Sequence, residues 1–456
     1  MKKKKEKKKI KSNSVGKYIF VSRICFLGGE LLFPAFFVYI NILEVLILES
    51  NIVIITDDLM KTISLCIFFG VICIKLGKRI LIPDVVLFII AGIILGPQLL
   101  NIINWEDYKV GNQLILSFGA AYILYDGGKE IQLKVLNKVK VSVLTLATLG
   151  VLISTFVTGY IAYRIFNIDF IYALLLGSVI ASTDPAVLVP LFKKINISDK
   201  LKQTIISESA FNDAAAAIIT FSIIAIIQGG NFSIVLSILE LLQKSIGGIF
   251  IGAIIGYLSS ALVSDKKISW LNGYPSEIAV AAVLGAYFLS EHFHFSGFMS
   301  VFVVGILCGN KAIFRLSISD KHEFLHLTFK EVLINILRIL IFIILGTQLN
   351  FAVLSTYFTQ SSIVVLLFVF LARPLTVIIS VAFDRNAKWT IREILYLMWT
   401  RETGVIPAAL AGMIVSMNIQ NSQIISSVTF MAIIITLTFQ ASTAKYVAKL
   451  LKLESH

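Results

Sequence analysis

Two adjacent apolar stretches of the sequence carry carboxylates. Asp184 lies in the first stretch, Glu208 and Asp213 lie in the second, and a short basic segment separates them. An ionisable group at bilayer depth is costly enough to mark a candidate functional site. At about 100° per residue on an α-helix, Glu208, Asn212, Ser209 and Asp213 fall at roughly 0°, 40°, 100° and 140°. The spacing therefore predicts one polar helix face that lines a cavity.

The residue after Asp184 is Pro185, which predicts that the helix over 170–191 breaks near Thr183 and Asp184. Proline has no backbone N–H, and the residue before it disfavours helical dihedrals. A broken helix at membrane depth is tolerated where it lines a cavity, and its free carbonyls then become ligands for a small cation. Carboxylate, hydroxyl and carbonyl oxygens suit alkali cations better than zinc or copper. The pattern indicates a transport site for a monovalent cation or a proton.

Three motifs follow one another inside apolar segments: Thr-Asp-Pro at 183–185, Glu-Ser-x-x-Asn-Asp at 208–213 and Phe-Leu-Ala-Arg-Pro-Leu at 370–375. Together they resemble the sodium/proton antiporters of the NhaP type, within the cation:proton antiporter-1 family. The resemblance runs from about residue 60 to about 450. It implies an all-α fold with inverted repeats and two broken, crossing helices. It also implies Na⁺/H⁺ exchange without a cofactor beyond the transported ions, and a homodimer.

The polar residues of the first two motifs are the expected ion ligands. Asp213 is expected to hold either the cation or a proton, and Asp184, Ser209 and the Thr183 backbone complete the cation shell. In the family that the sequence resembles, electroneutral members carry asparagine at the position of Asn212. Electrogenic relatives carry a second aspartate there. Exchange of one cation for one proton is therefore expected.

An arginine in the third motif, Arg373, lies inside an apolar segment. We expect it to neutralise Glu208, since unpaired charges of either sign are costly there, and the resemblance implies the same pair. The alternative is an arginine near a helix end that reaches the membrane interface.

A second broken helix is expected around 399–407, where Gly404 and Pro407 would supply the break. The sequence departs here from many relatives, which place arginine immediately before that glycine. This chain has Thr403 there and carries Arg401 and Glu402 instead. These two residues either substitute for the usual charge or alter the choice of ion.

The composition is that of a polytopic membrane protein rather than a soluble one, with 57% hydrophobic and 15% charged residues and a mean hydropathy of +0.89. The net charge of +13 comes from a basic tail and short loops, which argues against nucleic-acid binding.

We expect a basic cytoplasmic tail over 1–17, an extra N-terminal membrane segment over 18–58 and an antiporter domain over 59–450. Basic loops place both termini in the cytoplasm of a cell-membrane protein with about 13 to 14 spans. The predicted spans from residue 59 are 59–77, 82–100, 112–126, 141–163, 170–191, 203–228, 233–263, 276–291, 297–309, 328–348, 361–383, 394–417 and 422–448.

Three alternatives remain open at this point. The exchanged cation could be K⁺, and a gated channel would need no counterflow of protons. The pattern His322-Glu323-x-x-His326 matches the zinc-protease signature HExxH and raises an intramembrane protease. That match falls in a stretch expected to be a charged loop, without an identifiable third ligand.

Overall fold

The computed structural model describes residues 56–77, 79, 84–104, 108–184, 197–229, 234–264, 270–384 and 386–453. The chain divides into two compact units, Met1–Thr62 and Ile63–His456. The expected tail over 1–17 lies outside the described residues, as does the N-terminal segment over 18–58 apart from its last three residues. Both stay predictions.

The described residues form helices joined by short connections, without a β-strand among them. The first helices are α1 (Thr56–Gly77), α2 (Asp84–Leu95), α3 (Lys109–Glu130), α4 (Leu133–Ala147), α5 (Leu149–Phe166), α6 (Phe170–Ile180), α7 (Asp199–Ile227) and α8 (Ile234–Leu262). The later helices are α9 (Pro275–His292), α10 (Gly297–Gly309), α11 (Asp320–Gln348), α12 (Phe351–Leu367), α13 (Arg373–Ala382), α14 (Ile391–Trp399), α15 (Val405–Ser416), α16 (Ser422–Ile435) and α17 (Ser442–Leu450). The predicted all-helical class is confirmed.

Several helices are long and apolar enough to cross a bilayer. They are Thr56–Gly77, Val139–Phe166, Asp199–Ile227, Leu242–Leu262, Phe351–Ala382 and Ser422–Leu450. Shorter apolar helices, among them α6 and α15, have lengths typical of half-spans. Two helices begin before the spans predicted for them: α11 starts at Asp320 rather than 328, and α12 at Phe351 rather than 361. The first turn of α11 is polar, and the Asn350 side chain caps α12 by accepting hydrogen bonds from the backbone of Ala352 and Val353.

The helix that carries Arg373 changes pitch just before it. Residues Phe368–Ala372 form a π-helical turn between α12 and α13. Pro374 has no N–H to donate to the carbonyl four residues earlier, so an α-helical turn here would lose that bond. A π turn accommodates the proline and redirects the side chains that follow. Arg373 consequently points into the protein, where it is 1% exposed.

Glycines allow the helices around the site to approach closely. A Cβ at Gly92 on α2 would overlap the backbone of Ile343 on α11, and one at Gly305 on α10 would overlap the backbone of Tyr125 on α3. Small residues at such crossings are typical of helix packing in membranes, where hydrophobic burial drives association weakly. These contacts fix α3 and α11, which form one wall of the site.

Candidate cation-binding site

Two interruptions of helical structure meet at the centre of the second unit. Helix α6 ends at Ile180, and residues 182–184 are non-helical. Helix α14 ends at Trp399, and α15 begins at Val405 after the non-helical residues 400–404. The Asp184 backbone N–H donates to the Glu402 carbonyl over 2.9 Å, so the two breaks touch. The second predicted break is confirmed. At the first, α6 ends a few residues earlier than expected, and the rest of the predicted helix, 185–191, lies outside the described residues.

Gly404 is required at the second break because Asp184 lies directly against it. A Cβ at position 404 would overlap the Asp184 carboxylate. The expectation for Pro407 was wrong: this residue lies in the first turn of α15, which it does not interrupt. The first N–H groups of a helix have no intrahelical partner, so a proline there costs no hydrogen bond.

The first break is fastened to α7 by hydrogen bonds. Ser209 Oγ donates to the Thr183 carbonyl over 2.7 Å. Asn212 Nδ2 donates to Thr183 Oγ1 over 2.8 Å, while Asn212 Oδ1 accepts from the Thr183 backbone N–H over 3.1 Å. Ser182 Oγ donates to Asp213 Oδ1. The structure thus brings Thr183, Ser209, Asn212 and Asp213 together.

Ser182 is the member of this group that sequence reasoning missed. Its hydroxyl is fully buried and contacts the carboxylate expected to exchange ions. Its position two residues before Asp184, within the predicted break, was an available signal. The direction of a side chain in non-helical backbone cannot be read from helical periodicity, however, so the signal was incomplete.

Asp184 stands at the start of α15. Its Oδ2 accepts the Val405 backbone N–H over 3.1 Å, at a helix N-terminus that favours negative charge. Asp184, Ser209 and Asp213 line one cavity of about 220 Å³. The helices α3 and α11 also contribute to the lining, with Asp126 and Arg338 among their residues. A hydrated cation therefore has space beside both aspartates.

Glu208 and Arg373 form a buried bidentate ion pair. Arg373 Nη2 lies 3.0 Å from Glu208 Oε2, and Arg373 Nη1 contacts Glu208 Oε1. Arg373 Nε and Nη2 also donate to the Leu397 carbonyl over 3.0 and 2.8 Å. The structure thus places Arg373 in the interior rather than at the membrane interface. The pair joins α7 to α13 and α14.

Arg401 stabilises the broken end of α6. Its Nη2 donates to the carbonyls of Ile180 and Ala181 over 3.1 and 2.6 Å, and its Nη1 donates to Ser154 Oγ over 3.2 Å. Its guanidinium carbon lies 4.0 Å from the centroid of the Phe368 ring. A cation at a helix C-terminus offsets the negative end of the helix dipole. Glu402, 1% exposed, accepts the Asp184 backbone N–H through its main-chain carbonyl.

The HExxH pattern does not assemble a zinc site in the part of the chain that the structure describes. Contrary to expectation it lies on a helix, since α11 starts at Asp320. Glu323 Oε1 is 3.0 Å from Lys311 Nζ, and His326 Nδ1 is 3.3 Å from Ser276 Oγ. No group of three or more His, Cys, Asp or Glu side chains suited to a metal occurs among the described residues.

Comparison with known proteins agrees with this architecture. The profile of the family described as "Sodium/hydrogen exchanger, transmembrane" matches residues 64–450. A probable Na⁺/H⁺ antiporter 2 of Methanocaldococcus jannaschii is 28% identical over 411 residues, covering 84% of this chain and 94% of that protein. The K⁺/H⁺ antiporter NhaP2 of Shewanella oneidensis is 26% identical over 385 residues, covering 83% of this chain but 64% of that longer protein.

A solved structure gives the same result. The sodium proton antiporter MjNhaP1 of Methanocaldococcus jannaschii superposes with a TM-score of 0.77 at 26% identity, covering 87% of this chain and 99% of that one. The chain belongs to the sodium/hydrogen exchanger family and is a multi-pass membrane antiporter that exchanges a cation for protons.

Proposed function

We propose that this antiporter exchanges one Na⁺ for one H⁺, and that the two ions compete for Asp213. The proposal depends on one observation: hydrogen bonds hold the residues that follow α6 against Asp213 and its neighbours on α7. Ser182 donates to the Asp213 carboxylate, and Ser209 holds the Thr183 carbonyl 2.7 Å from its hydroxyl. Carboxylate, hydroxyl and carbonyl oxygens are the ligands that hard cations prefer.

The cation shell proposed here consists of Asp213, Asp184, Ser209 and the Thr183 backbone. Asp184 shares the cavity with Asp213, and its Oδ2 accepts the Val405 N–H. The Thr183 carbonyl has a second lone pair beyond the one that Ser209 uses. The transported cation is substrate, and the proposal involves no resident cofactor.

We propose electroneutral exchange because Asp213 is the one group that changes its occupancy in this scheme. Asn212 is neutral, and both of its amide atoms already bond Thr183. Glu208 is paired with Arg373, so its charge is balanced within the protein. If Asp213 alone changes occupancy, replacing H⁺ by Na⁺ on one carboxylate moves no net charge through the cycle.

Na⁺ is proposed over K⁺ because of the relatives that match along most of their length. The chain covers 94% of the probable Na⁺/H⁺ antiporter 2 and 99% of MjNhaP1, but 64% of the K⁺/H⁺ antiporter NhaP2. K⁺/H⁺ exchange is the second candidate, supported by the names of those longer relatives. We further propose a homodimer in the cell membrane with both termini in the cytoplasm, on the basis of the family resemblance and the basic loops.

Proteoliposomes that contain a pH-sensitive dye test the proposal. Addition of Na⁺ is expected to collapse an imposed pH gradient at lower concentration than K⁺, with Li⁺ as a third comparison. A membrane potential imposed at fixed ion and pH gradients is expected to leave the equilibrium pH difference unchanged. A shift with potential would contradict one-for-one exchange, and a lower half-saturating concentration for K⁺ would favour the second candidate. Cation flux without proton counterflow would indicate a channel.

A further inference from the structure

A second polar cavity, of about 150 Å³, lies at the other ends of three helices that line the aspartate cavity. Helices α3, α11 and α15 contribute to both cavities. On α15, the first cavity is lined by Val405 and the second by Ser416. At 1.5 Å per residue, the two cavities are about 16 Å apart along that helix. Buried apolar residues of α15 between these positions, including Leu410 and Met413, separate them.

The lining of the second cavity is polar but nearly uncharged. Lys109 is the one charged residue, and its side chain is exposed. The other lining residues are neutral, and they include the side-chain amides of Asn112, Gln348 and Gln423. The aspartate cavity offers carboxylates, whereas this cavity offers mainly side-chain amides.

Three of these amides have a buried oxygen without a hydrogen-bond partner among the described residues. They are Asn112 Oδ1, Gln348 Oε1 and Gln423 Oε1, and the Asn112 side chain as a whole is 2% exposed. Most buried polar atoms in folded proteins have a hydrogen-bond partner, because an unmet acceptor costs free energy. Three such acceptors around one cavity suit an occupant that is electropositive or donates hydrogen bonds.

The hydrogen bonds of Ser416 fix the orientation of the Asn112 amide. Ser416 Oγ donates its proton to the Gly412 carbonyl over 2.9 Å, so toward Asn112 it acts as an acceptor. Asn112 Nδ2 donates to it over 2.7 Å. An exchange of the amide nitrogen and oxygen would place two acceptors against each other. The oxygen of Asn112 is consequently the atom left without a partner.

We infer that the second cavity binds an alkali-metal cation through the amide oxygens of Asn112, Gln348 and Gln423. Neutral amide oxygens are hard ligands, and each water occupies about 30 Å³ of liquid, so the cation retains several waters in this cavity. The absence of a carboxylate among the lining residues makes the site weak, and Lys109 weakens it further by repulsion. The inference holds whether or not exchange at Asp213 is one for one.

Cation-dependent thermal stability of the full chain tests this site after the aspartate site is disabled. In Asp184→Asn/Asp213→Asn protein, we expect Na⁺ or Rb⁺ to raise the melting temperature saturably relative to N-methyl-D-glucamine at equal ionic strength. Adding Asn112→Leu or Gln423→Leu should remove that increment. Gln113→Leu is the matched control, since Gln113 neighbours Asn112 on α3 but does not line the cavity, and it should retain the increment.

Lys109→Gln supplies a variant that leaves the buried amides intact. In the same background it should lower the half-saturating cation concentration by about two- to fivefold. Absence of a cation-specific increment in the double aspartate variant, or its persistence after Asn112→Leu and Gln423→Leu, would overturn the inference.

If the double aspartate variant does not fold, anomalous diffraction from wild-type crystals soaked in Tl⁺ replaces it. A peak among Asn112, Gln348 and Gln423 is expected, and no peak there at saturating Tl⁺ would overturn the site. A peak at Asp213 is a separate result that bears on the proposed function, so failure of either proposal is recognisable by itself.

Discussion

The two breaks in helical structure touch, yet they serve different purposes. The first, 182–184, faces α7 and presents the Thr183 carbonyl, the Ser182 hydroxyl and the Asp184 carboxylate near Asp213. The second, 400–404, contacts the first through the Glu402 carbonyl and sends Arg401 to the end of α6. One break supplies proposed ion ligands, and the other holds the first in place.

The contacts of Arg401 favour the first of the two interpretations of Arg401 and Glu402, in which they substitute for the charge expected immediately before Gly404. The negative end of α6 needs a cation nearby, and Arg401 reaches the last carbonyls of α6 from three residues before the glycine. Thr403 instead donates its backbone N–H to Thr436 Oγ1 over 2.9 Å. In this chain a positive charge thus lies at the end of α6.

Removing the exchangeable carboxylate should have the largest effect. Asp213→Asn keeps the shape of the side chain but neither titrates nor attracts a cation by charge, so exchange should be lost at every pH. The melting temperature should stay close to that of the wild type. Asp169→Asn, the same change at an exposed residue before α6, is the control and should exchange normally. Dye-based exchange in proteoliposomes measures both, and wild-type activity of the Asp213 variant would exclude this residue as the ion site.

Breaking the buried ion pair should have the second-largest effect, because the pair joins α7 to α14, the helix that precedes the second break. Glu208→Gln and Arg373→Gln should each cost about 3–5 kcal/mol of stability, since each leaves a buried charge without its partner. The double variant should lose less than the sum of the two. The half-exposed pair Lys311–Glu323 gives the comparison, and its disruption should cost about 0–1 kcal/mol. Strictly additive losses for Glu208 and Arg373, measured by thermal unfolding, would mean that they are not coupled.

Adding a methyl group where the two breaks touch should lower the exchange rate more than it lowers the stability of the protein. In Gly404→Ala, the new methyl group displaces the Asp184 carboxylate, and we expect at least a tenfold loss of exchange rate. Gly285→Ala is the matched control, because a Cβ there meets no atom within 4 Å. Exchange at the wild-type rate in the Gly404 variant would show that the position of Asp184 is unimportant.

The smallest effect is expected at Arg401, which acts on the first break without lining the aspartate cavity. Arg401→Gln should cost about 1–3 kcal/mol of stability, because it removes hydrogen bonds to the α6 carbonyls. Arg401→Lys keeps the charge but loses the forked geometry, so its loss should be smaller. Equal losses in the two variants, measured by thermal unfolding, would show that charge at the α6 end contributes nothing.

The parts of the site that lie on a regular helix could be predicted from the sequence. Helical periodicity placed Ser209, Asn212 and Asp213 on one face of α7, and Pro185 located the first break. Ser182 was missed, and the target of Arg401 was left open, because both lie in non-helical backbone whose side-chain directions depend on tertiary contacts. Pro407 was misassigned because a proline in the first turn of a helix and one at a break look alike in sequence. The start of α11 was misplaced because its first turn is charged.

The central claim is that a cation and a proton compete for Asp213. Its most direct test is proton release when Na⁺ is added to purified protein in a weakly buffered solution near the pH of half-maximal exchange. Competition for one carboxylate predicts release of up to about one proton per Na⁺ bound in the wild type and none in Asp213→Asn. Na⁺ binding to the wild type without proton release, or equal release from the Asp213→Asn variant, would contradict it.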